Sequence, residues 1–564
     1  VEGFLTGKIL VTAALPYANG PLHVGHLAGA YLPADVFVRY QHLKGSDIVF
    51  ICGSDEHGVP ITIRADREKI SPQQVVDRFH ALMQSSFDRM GIRFDNYSRT
   101  SLPLHHRISQ DFFLKLNEKG FISEQEVRQY YCVPCRRFLP DRYIEGECPH
   151  CHKDGARGDQ CESCGRWLEP EQLIQPRCKV CGATPEMRST RHWYFRLSQF
   201  QKQLTDWQAS KPDWKSNVRE FCSGWFHEGL TDRPITRDID WGIPVPLPGA
   251  EGKVLYVWFD APIGYLSSTV EWAQKLGTPE RWRDYWCDPA TRLIHFIGKD
   301  NIVFHAIVWP AVLMAYGDTI LPDNIAANEF LNIEGEKLST SRNWAIWVDE
   351  YLDAFPPDPL RYYLAANAPE NKDSDFVWKD FQARNNGELA DILGNLINRS
   401  LTFIEKHFDA KVPAAPELSP ADRDVLAAID AATTSIGALL DSFQVKRAVG
   451  EMMNLARVGN KYFNDSAPWA SVKQDRARCA ATLNTTIQLE LALAVLMSPF
   501  MPFSAAALWK MLNAPGSISE QHWQDIPKLR LPAGHALGAR DILFRKIEDA
   551  VIEEQIAKLR KGNE

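Results

Sequence analysis

The chain has 564 residues, 45% of them apolar and 24% charged, an ordinary globular composition long enough for roughly three or four domains. Its 63 basic and 71 acidic residues leave a formal net charge of -8, which excludes a protein that grips nucleic acid through a uniformly basic surface, though not local basic patches. No uninterrupted apolar run reaches the roughly 18 residues of a membrane span, because the stretch near Leu489 to Phe503 is broken by Glu490 and Pro499; no membrane partner is expected. Val1 to Lys8 lacks the basic-then-apolar pattern of a secretory leader, so the reading is cytoplasmic.

In chain order, an apolar strand is expected over Ile9 to Ala14, then a Pro/Gly-rich loop, Pro16 to Pro21, and a helical stretch from His23 to about Leu43. A second strand follows over Asp47 to Cys52. Strand, helix and strand in that order make a parallel crossover, the seed of a doubly wound α/β sheet whose loops past the strand ends bind ligand. The stretch from Ile122 to Ile239 is rich in Cys, Pro and charge and reads as an insertion between two halves of the sheet. Val254 to Trp258 and Arg292 to Ile297 read as strands of the second half. Beyond Phe381 come amphipathic helical stretches, Glu388 to Phe408, Pro420 to Asp441, Gln444 to Phe463, Asp475 to Leu496 and Asp541 to Leu559, which together read as a helical bundle.

Eight of the twelve cysteines form four Cys-x-x-Cys pairs, while Cys52, Cys222, Cys287 and Cys479 stand alone. In a reducing compartment such pairs bind metal, and two structural zinc sites of four thiolates each are expected, with iron-sulfur ligation as the rival. The inner pairs, Cys148, Cys151, Cys161 and Cys164, are separated by a short loop and are assigned one ion; the outer pairs, Cys132, Cys135, Cys178 and Cys181, are assigned the other.

The loop after the first strand ends in His23-Val24-Gly25-His26. Two imidazoles three residues apart share one face of a helix's first turn, where backbone N–H groups and side-chain donors can meet phosphate oxygens. This tetrapeptide resembles the HIGH signature of the class I aminoacyl-tRNA synthetases, and Lys337-Leu338-Ser339-Thr340-Ser341-Arg342 resembles their downstream KMSKS loop. The match departs at Leu338 and at Thr340, where the family usually has a second lysine; Lys337, helped by Arg342, is expected to supply the positive charge instead.

Further segments resemble the methionine-specific branch of that class: Ala14 to Gly20, Gly53 to Gly58, Tyr256 to Tyr265 and Phe296 to Asp300. The resemblance implies a methionine pocket of Ala14, Leu15, Tyr17, Val257, Trp258, Ala261, Pro262, Tyr265, Asn301, His305 and Trp309, with Asp55 holding the substrate ammonium. It implies an ATP site of His23, Gly25, His26, Gly298, Asp300, Lys337, Ser339 and Ser341, with Mg2+ arriving with the nucleotide. It also implies an anticodon-reading face of Asn395, Arg399 and Trp469, and as partners L-methionine, ATP and tRNA(Met). A monomer is expected. The division that follows is a Rossmann catalytic domain over 1–121 and 240–325, an inserted zinc-knuckle domain over 122–239, a linking segment with the KMSKS-like loop over 326–380, and an all-α anticodon domain over 381–564. A short, cysteine-filled insertion argues against the leucine, isoleucine and valine enzymes, which carry a large editing domain. A tRNA-binding factor with a decayed catalytic loop is the rival of another class, with Thr340 its only support.

Overall fold

Five strands organise the catalytic half, all but the half-buried edge strand β3 largely buried on both faces: β1 (Ile9–Ala13), β2 (Ile48–Ser54), β3 (Asn96–Arg99), β4 (Arg292–Gly298) and β5 (Asn324–Asn328). This computed structural model describes residues 7–140, 143–158, 161, 163–164, 166, 168–340, 342–415 and 417–561. The five strands run parallel in the order β5-β4-β1-β2-β3. Because side chains alternate along a strand, Leu10, Val49, Ile51, Leu293 and Ile297 feed one core, and Val11, Ala13, Phe50, Ile294 and Phe296 feed the other. The chain winds outward from β1 to β3 and later returns on β1's other side as β4. The carboxyl ends of β1 and β4 therefore flank a topological switch point, the place where open α/β sheets bind ligands.

The helical run after β1 starts with Val24–His26, passes through a wider π turn at Leu27–Tyr31 and continues as α1 (Leu32–Leu43). Gly29 in that turn comes close to Gly298 at the end of β4, so the run is packed directly over the switch point.

Val254 to Trp258 is not a strand of this sheet. Only Val254–Leu255 is extended, pairing antiparallel with Thr236–Arg237, and α2 (Val257–Lys275) begins two residues later. The local β preference of that apolar run is overridden by packing, because the helical turn buries Phe259, Asp260 and Ile263 beneath the sheet.

The insertion is carried on a long antiparallel ribbon, Ile122–Cys132 against Glu186–Phe195, in register from Ile122↔Phe195 to Tyr131↔Glu186. Its far end holds the cysteine pairs and a small sheet centred on Ile144–Glu147.

The C-terminal bundle contains α3 (Asn395–His407), α4 (Pro420–Asp441), α5 (Val445–Asp465) and α6 (Arg476–Met497). The helix expected over Glu388 to Phe408 starts earlier, at Trp378, and runs into α3 through a π segment, Asn385–Gly394. The helix expected over Asp541 to Leu559 is shorter, Asp549–Lys561. Its first residues stay non-helical because Gln382 and Asn386 capture the backbone of Ile547. Among the described residues α6 alone is long and apolar enough to resemble a membrane span, and its apolar window is 94% buried as the central helix of the bundle.

Candidate active site

A cleft of about 820 Å³ opens at the carboxyl ends of β1, β2, β4 and β5. Its wall includes Ala14, Leu15 and Tyr17 after β1, Asp55 after β2, and Gly298, Asp300 and Asn301 after β4. Val257 and Trp258 enter from the start of α2, His23, Gly25 and His26 from the first helical turn, and Lys337 from the downstream loop.

The two histidines lock each other. Their rings stack with centroids 3.6 Å apart and planes 15° from parallel. The His26 N–H donates to His23 Nδ1 at 3.3 Å, and the His23 N–H donates to His26 Nδ1 at 3.2 Å. With both Nδ1 atoms accepting, each neutral ring carries its proton on Nε2 and can donate it to a ligand. Burial, reinforced by His26, holds His23 well below the ordinary histidine range, and burial takes His26 down to about 4. Near pH 7 the pair therefore acts as two neutral donors.

Gly25 keeps the space beside the His23 ring tight but open. A Cβ there would lie 3.1 Å from both His23 Nδ1 and Leu338 Cδ1. The first signature is also joined through the backbone to the chain just past the downstream loop: the Val24 N–H donates to the Ile346 carbonyl at 3.0 Å and the Val348 N–H to the Leu22 carbonyl at 2.9 Å. The downstream loop is a tight hairpin in which Ser339 and Trp344 exchange N–H···O bonds of 3.0 and 2.9 Å. Lys337 and Leu338 line the cleft, whereas Ser339 and Arg342 do not. Arg342 sits 3.9 Å from the Glu336 carboxylate and half exposed. Ser341 lies outside the described residues.

Asp55 is only 7% exposed. Burial first, and the neighbouring Asp260 carboxylate second, hold its carboxyl well above the usual range. Its side chain accepts a long bond from the His57 N–H at 3.5 Å, and a cation arriving in the cleft would be its counter-ion. Trp258 is 40% exposed and stacks on Phe304 at 3.9 Å, an aromatic plate over the cleft.

Ala261, Pro262, Tyr265, His305 and Trp309, expected around the substrate side chain, are not on the wall. Tyr265 and His305 form a layer behind it. The His305 Nδ1–H donates to the Asn301 carbonyl at 3.0 Å, and His305 Nε2, taken by burial to about 4, accepts from the Tyr265 hydroxyl at 2.7 Å. Leu15, on the wall, packs into the notch at Gly264, the neighbour of Tyr265 in α2. Trp309 is a core tryptophan, about 6 Å from the rings of Phe112 and Trp286. In the other direction, Arg237 and Tyr256 line the cleft with the guanidinium 3.8 Å over the ring, and Glu329 to Asn332 form another wall. Tyr256 opens one of the segments that carry the resemblance, but the sequence carried no signal for the rest, since Arg237 arrives from the end of the insertion and Glu329 to Asn332 from an ordinary-looking strand end.

The cysteines gather into two sets of four, Cys132, Cys135, Cys178 and Cys181, and Cys148, Cys151, Cys161 and Cys164, each with all Sγ atoms within 4.8 Å. Sγ···Sγ distances include 3.4 Å for Cys132 and Cys181, 3.9 Å for Cys135 and Cys178, 3.8 Å for Cys148 and Cys164, and 3.6 Å for Cys151 and Cys161. Tetrahedral thiolates around a zinc ion lie about 3.8 Å apart, so either set can hold one metal ion.

At the far end of the bundle, the chain turns at Ala467 (φ 41°) so that Pro468 opens a short helix and Trp469 stands 48% exposed. The Arg399 guanidinium lies 5.5 Å from the Trp469 ring and bonds Asn464 at 3.0 Å, and Asn395 is exposed one turn earlier on α3.

Residues 9–401 match the family described as "tRNA synthetases class I (M)", and residues 412–563 match "Anticodon binding domain of methionyl tRNA ligase". Methionine–tRNA ligase of Bacteroides fragilis is 53% identical over 564 residues, covering 99% of this chain and 82% of that protein. The same enzyme of Pyrococcus furiosus is 49% identical over 556 residues, covering 96% and 76%. Among solved structures, Mycobacterium tuberculosis methionyl-tRNA synthetase bound by methionyl-adenylate superposes with a TM-score of 0.79 at 28% identity, covering 95% of this chain and all of that one. Family match, identity and shared architecture agree: the chain belongs to the class I tRNA synthetases, in the methionyl-tRNA synthetase family.

Proposed function

We propose that this chain activates L-methionine with ATP and transfers the methionyl group to the terminal ribose of tRNA(Met). The observation that carries the reading is one cleft holding a carboxylate that lacks a cation, two Nε2–H donors and a lysine, with an aromatic plate alongside. Asp55 takes the ammonium, and the soft, polarizable thioether suits the apolar wall of Leu15, Val257 and Trp258. Ala14, Tyr17 and Asn301 complete that wall, and Gly298 and Asp300 face the adenosine. A methionine carboxylate oxygen attacks the α-phosphorus, the bond to the bridging oxygen breaks, and pyrophosphate leaves. His23, His26 and Lys337 stabilise the charge that develops on the phosphoryl oxygens. Mg2+ arriving with ATP would supply positive charge to the leaving pyrophosphate. A ribose hydroxyl oxygen of tRNA then attacks the methionyl carbonyl and AMP departs.

Tyr265 and His305 back the side-chain pocket from their inner layer, and Arg342 assists Lys337 only if the hairpin rotates. The two cysteine sets are assigned zinc, whose preference for four thiolates matches their spacing; metal analysis should find two ions per chain, and one or none would refute the assignment. The division into a split catalytic domain over 1–121 and 240–325, an insertion over 122–239, a linking segment over 326–380 and an anticodon domain over 381–564 is supported by the ribbon that separates the half-sheets. Asn395, Arg399 and Trp469 are assigned the anticodon, because a single-stranded loop is read by stacking and by bonds to base edges. A cytoplasmic monomer fits these assignments. The test is charging with labelled methionine: tRNA(Met) should accept it and tRNAs for leucine and isoleucine should not, and equal charging of all three would overturn the proposal.

A further inference from the structure

Behind the ammonium site lies a buried polar cluster that the reaction chemistry above does not use. Asp260, in the first turn of α2, is fully buried. Its Oδ2 accepts the His57 Nδ1–H at 2.6 Å and lies 3.6 Å from His105 Nε2. Its Oδ1 has no hydrogen-bond partner among the described residues. The other His57 nitrogen faces His106 Nε2 at 3.3 Å, which leaves the Nδ1 proton for Asp260. A buried carboxylate with one short partner and one bare oxygen is poor stabilising design, because desolvation offsets the attraction unless both oxygens are satisfied.

The cluster occupies a particular place. His57 belongs to the loop after β2 that carries Asp55, and Asp260 lies three residues after Val257 and two after Trp258 on α2. Other ties of that loop include the Glu56 N–H donating to Thr100 at 2.8 Å, the Trp241 indole N–H to the Glu56 carbonyl at 2.6 Å, the Tyr17 hydroxyl to the His57 carbonyl, and a backbone bridge in which the Asp55 N–H donates to the Pro16 carbonyl at 2.9 Å and the Ala18 N–H to the Asp55 carbonyl at 2.8 Å. Gly58, at φ 101°, leaves no room for a side chain beside the Tyr17 hydroxyl. Tyr17 ties the loop to the segment after β1, and among these ties only His57–Asp260 connects it to α2, the element that carries Val257 and Trp258.

We propose that the His57–Asp260 hydrogen bond is a positioning device that fixes the spacing between Asp55 and the Val257–Trp258 wall, and thereby the length of amino-acid side chain accepted. The inference rests on the methionine-activating reading of the cleft. With the bond intact, ammonium and side-chain end are held at one separation; without it, the loop and α2 can drift apart and admit longer thioethers or alkyl chains.

The test uses ATP–pyrophosphate exchange with the full chain and its metal in place, comparing wild type, His57→Leu and His57→Asn with methionine, L-ethionine and L-norleucine. Asparagine can put an amide N–H close to where Nδ1–H donates, whereas leucine cannot. His57→Leu should raise KM for methionine about tenfold, leave KM for ATP within about twofold, and narrow the preference for methionine over ethionine about tenfold; His57→Asn should restore most of each. Should His57→Leu not fold, Asp260→Asn serves, with a smaller rise in KM for methionine and the same loss of discrimination. Unchanged discrimination, KM values for methionine and ATP that rise together, or an asparagine variant as impaired as the leucine one would overturn the proposal. Wild type that gives no methionine-dependent exchange would instead remove the reading on which it rests.

Discussion

Burial acts on Asp55 and on the two histidines in opposite chemical directions, raising the acid and lowering the bases, and in both cases favours the neutral form. For the histidines that is useful, because neutral Nε2–H donors can follow charge as it develops. For Asp55 it makes the substrate cation the group that restores ionisation. Asp55→Ala should therefore weaken methionine binding by about 2–5 kcal/mol while the thermal unfolding midpoint changes little, and equilibrium binding of methionine is the readout. Unchanged affinity would mean that the ammonium binds elsewhere. At this scale the sequence was legible where chemistry forces a spacing: His23 and His26 are fixed by mutual stacking, and the cysteine pairs by their turns. Arg237 and Phe330 were not legible, since each is set against the cleft by distant chain, and nothing local in the sequence tells that Tyr265 and His305 lie off the cleft wall.

Elements were legible when one periodicity ran long enough to outweigh context. The helix expected over Pro420 to Asp441 coincides with α4, which opens with a Ser419 cap. Val254 to Trp258 failed because five apolar residues fit a strand or a buried helix equally, and packing chose the helix. The central helix α6 carries a titratable group in its buried length. Glu490 accepts a hydrogen bond from the Ser400 hydroxyl, its other oxygen is bare, and burial holds its carboxyl well above the ordinary 4.5. The folded state thus retains a proton that the unfolded chain releases above about pH 4.5, so stability falls as pH rises from there toward the folded value. Glu490→Gln removes that slope. The variant should melt higher than wild type at pH 7 and the gap should close below pH 4.5, as measured by thermal unfolding across pH; a gap independent of pH would contradict the assignment.

At the scale of the molecule, the bundle is fastened to the sheet through α1, the helix that follows the catalytic turn. Buried Arg361 bonds Asp35 at 2.6 Å and the Phe500 carbonyl at 2.8 Å, and Asp441 at the end of α4 accepts from Lys44 at 2.9 Å. Trp469 takes no part in these joints, so its removal should act on tRNA alone. Trp469→Ala should weaken tRNA charging by about 1–3 kcal/mol and leave pyrophosphate exchange unaltered; equal losses in both would make it a structural residue. The order of sheet, insertion, sheet and bundle was legible from composition and period, while these joints were not, because they pair residues hundreds of positions apart.

The central claim is that one cleft, built by Asp55, His23, His26 and Lys337, selects methionine and joins it to the α-phosphate of ATP. The most direct measurement is ATP–pyrophosphate exchange with each of the twenty amino acids in turn. Exchange that depends on methionine, with the other nineteen near background, is the result expected; exchange with another amino acid in preference, or with none, would contradict it.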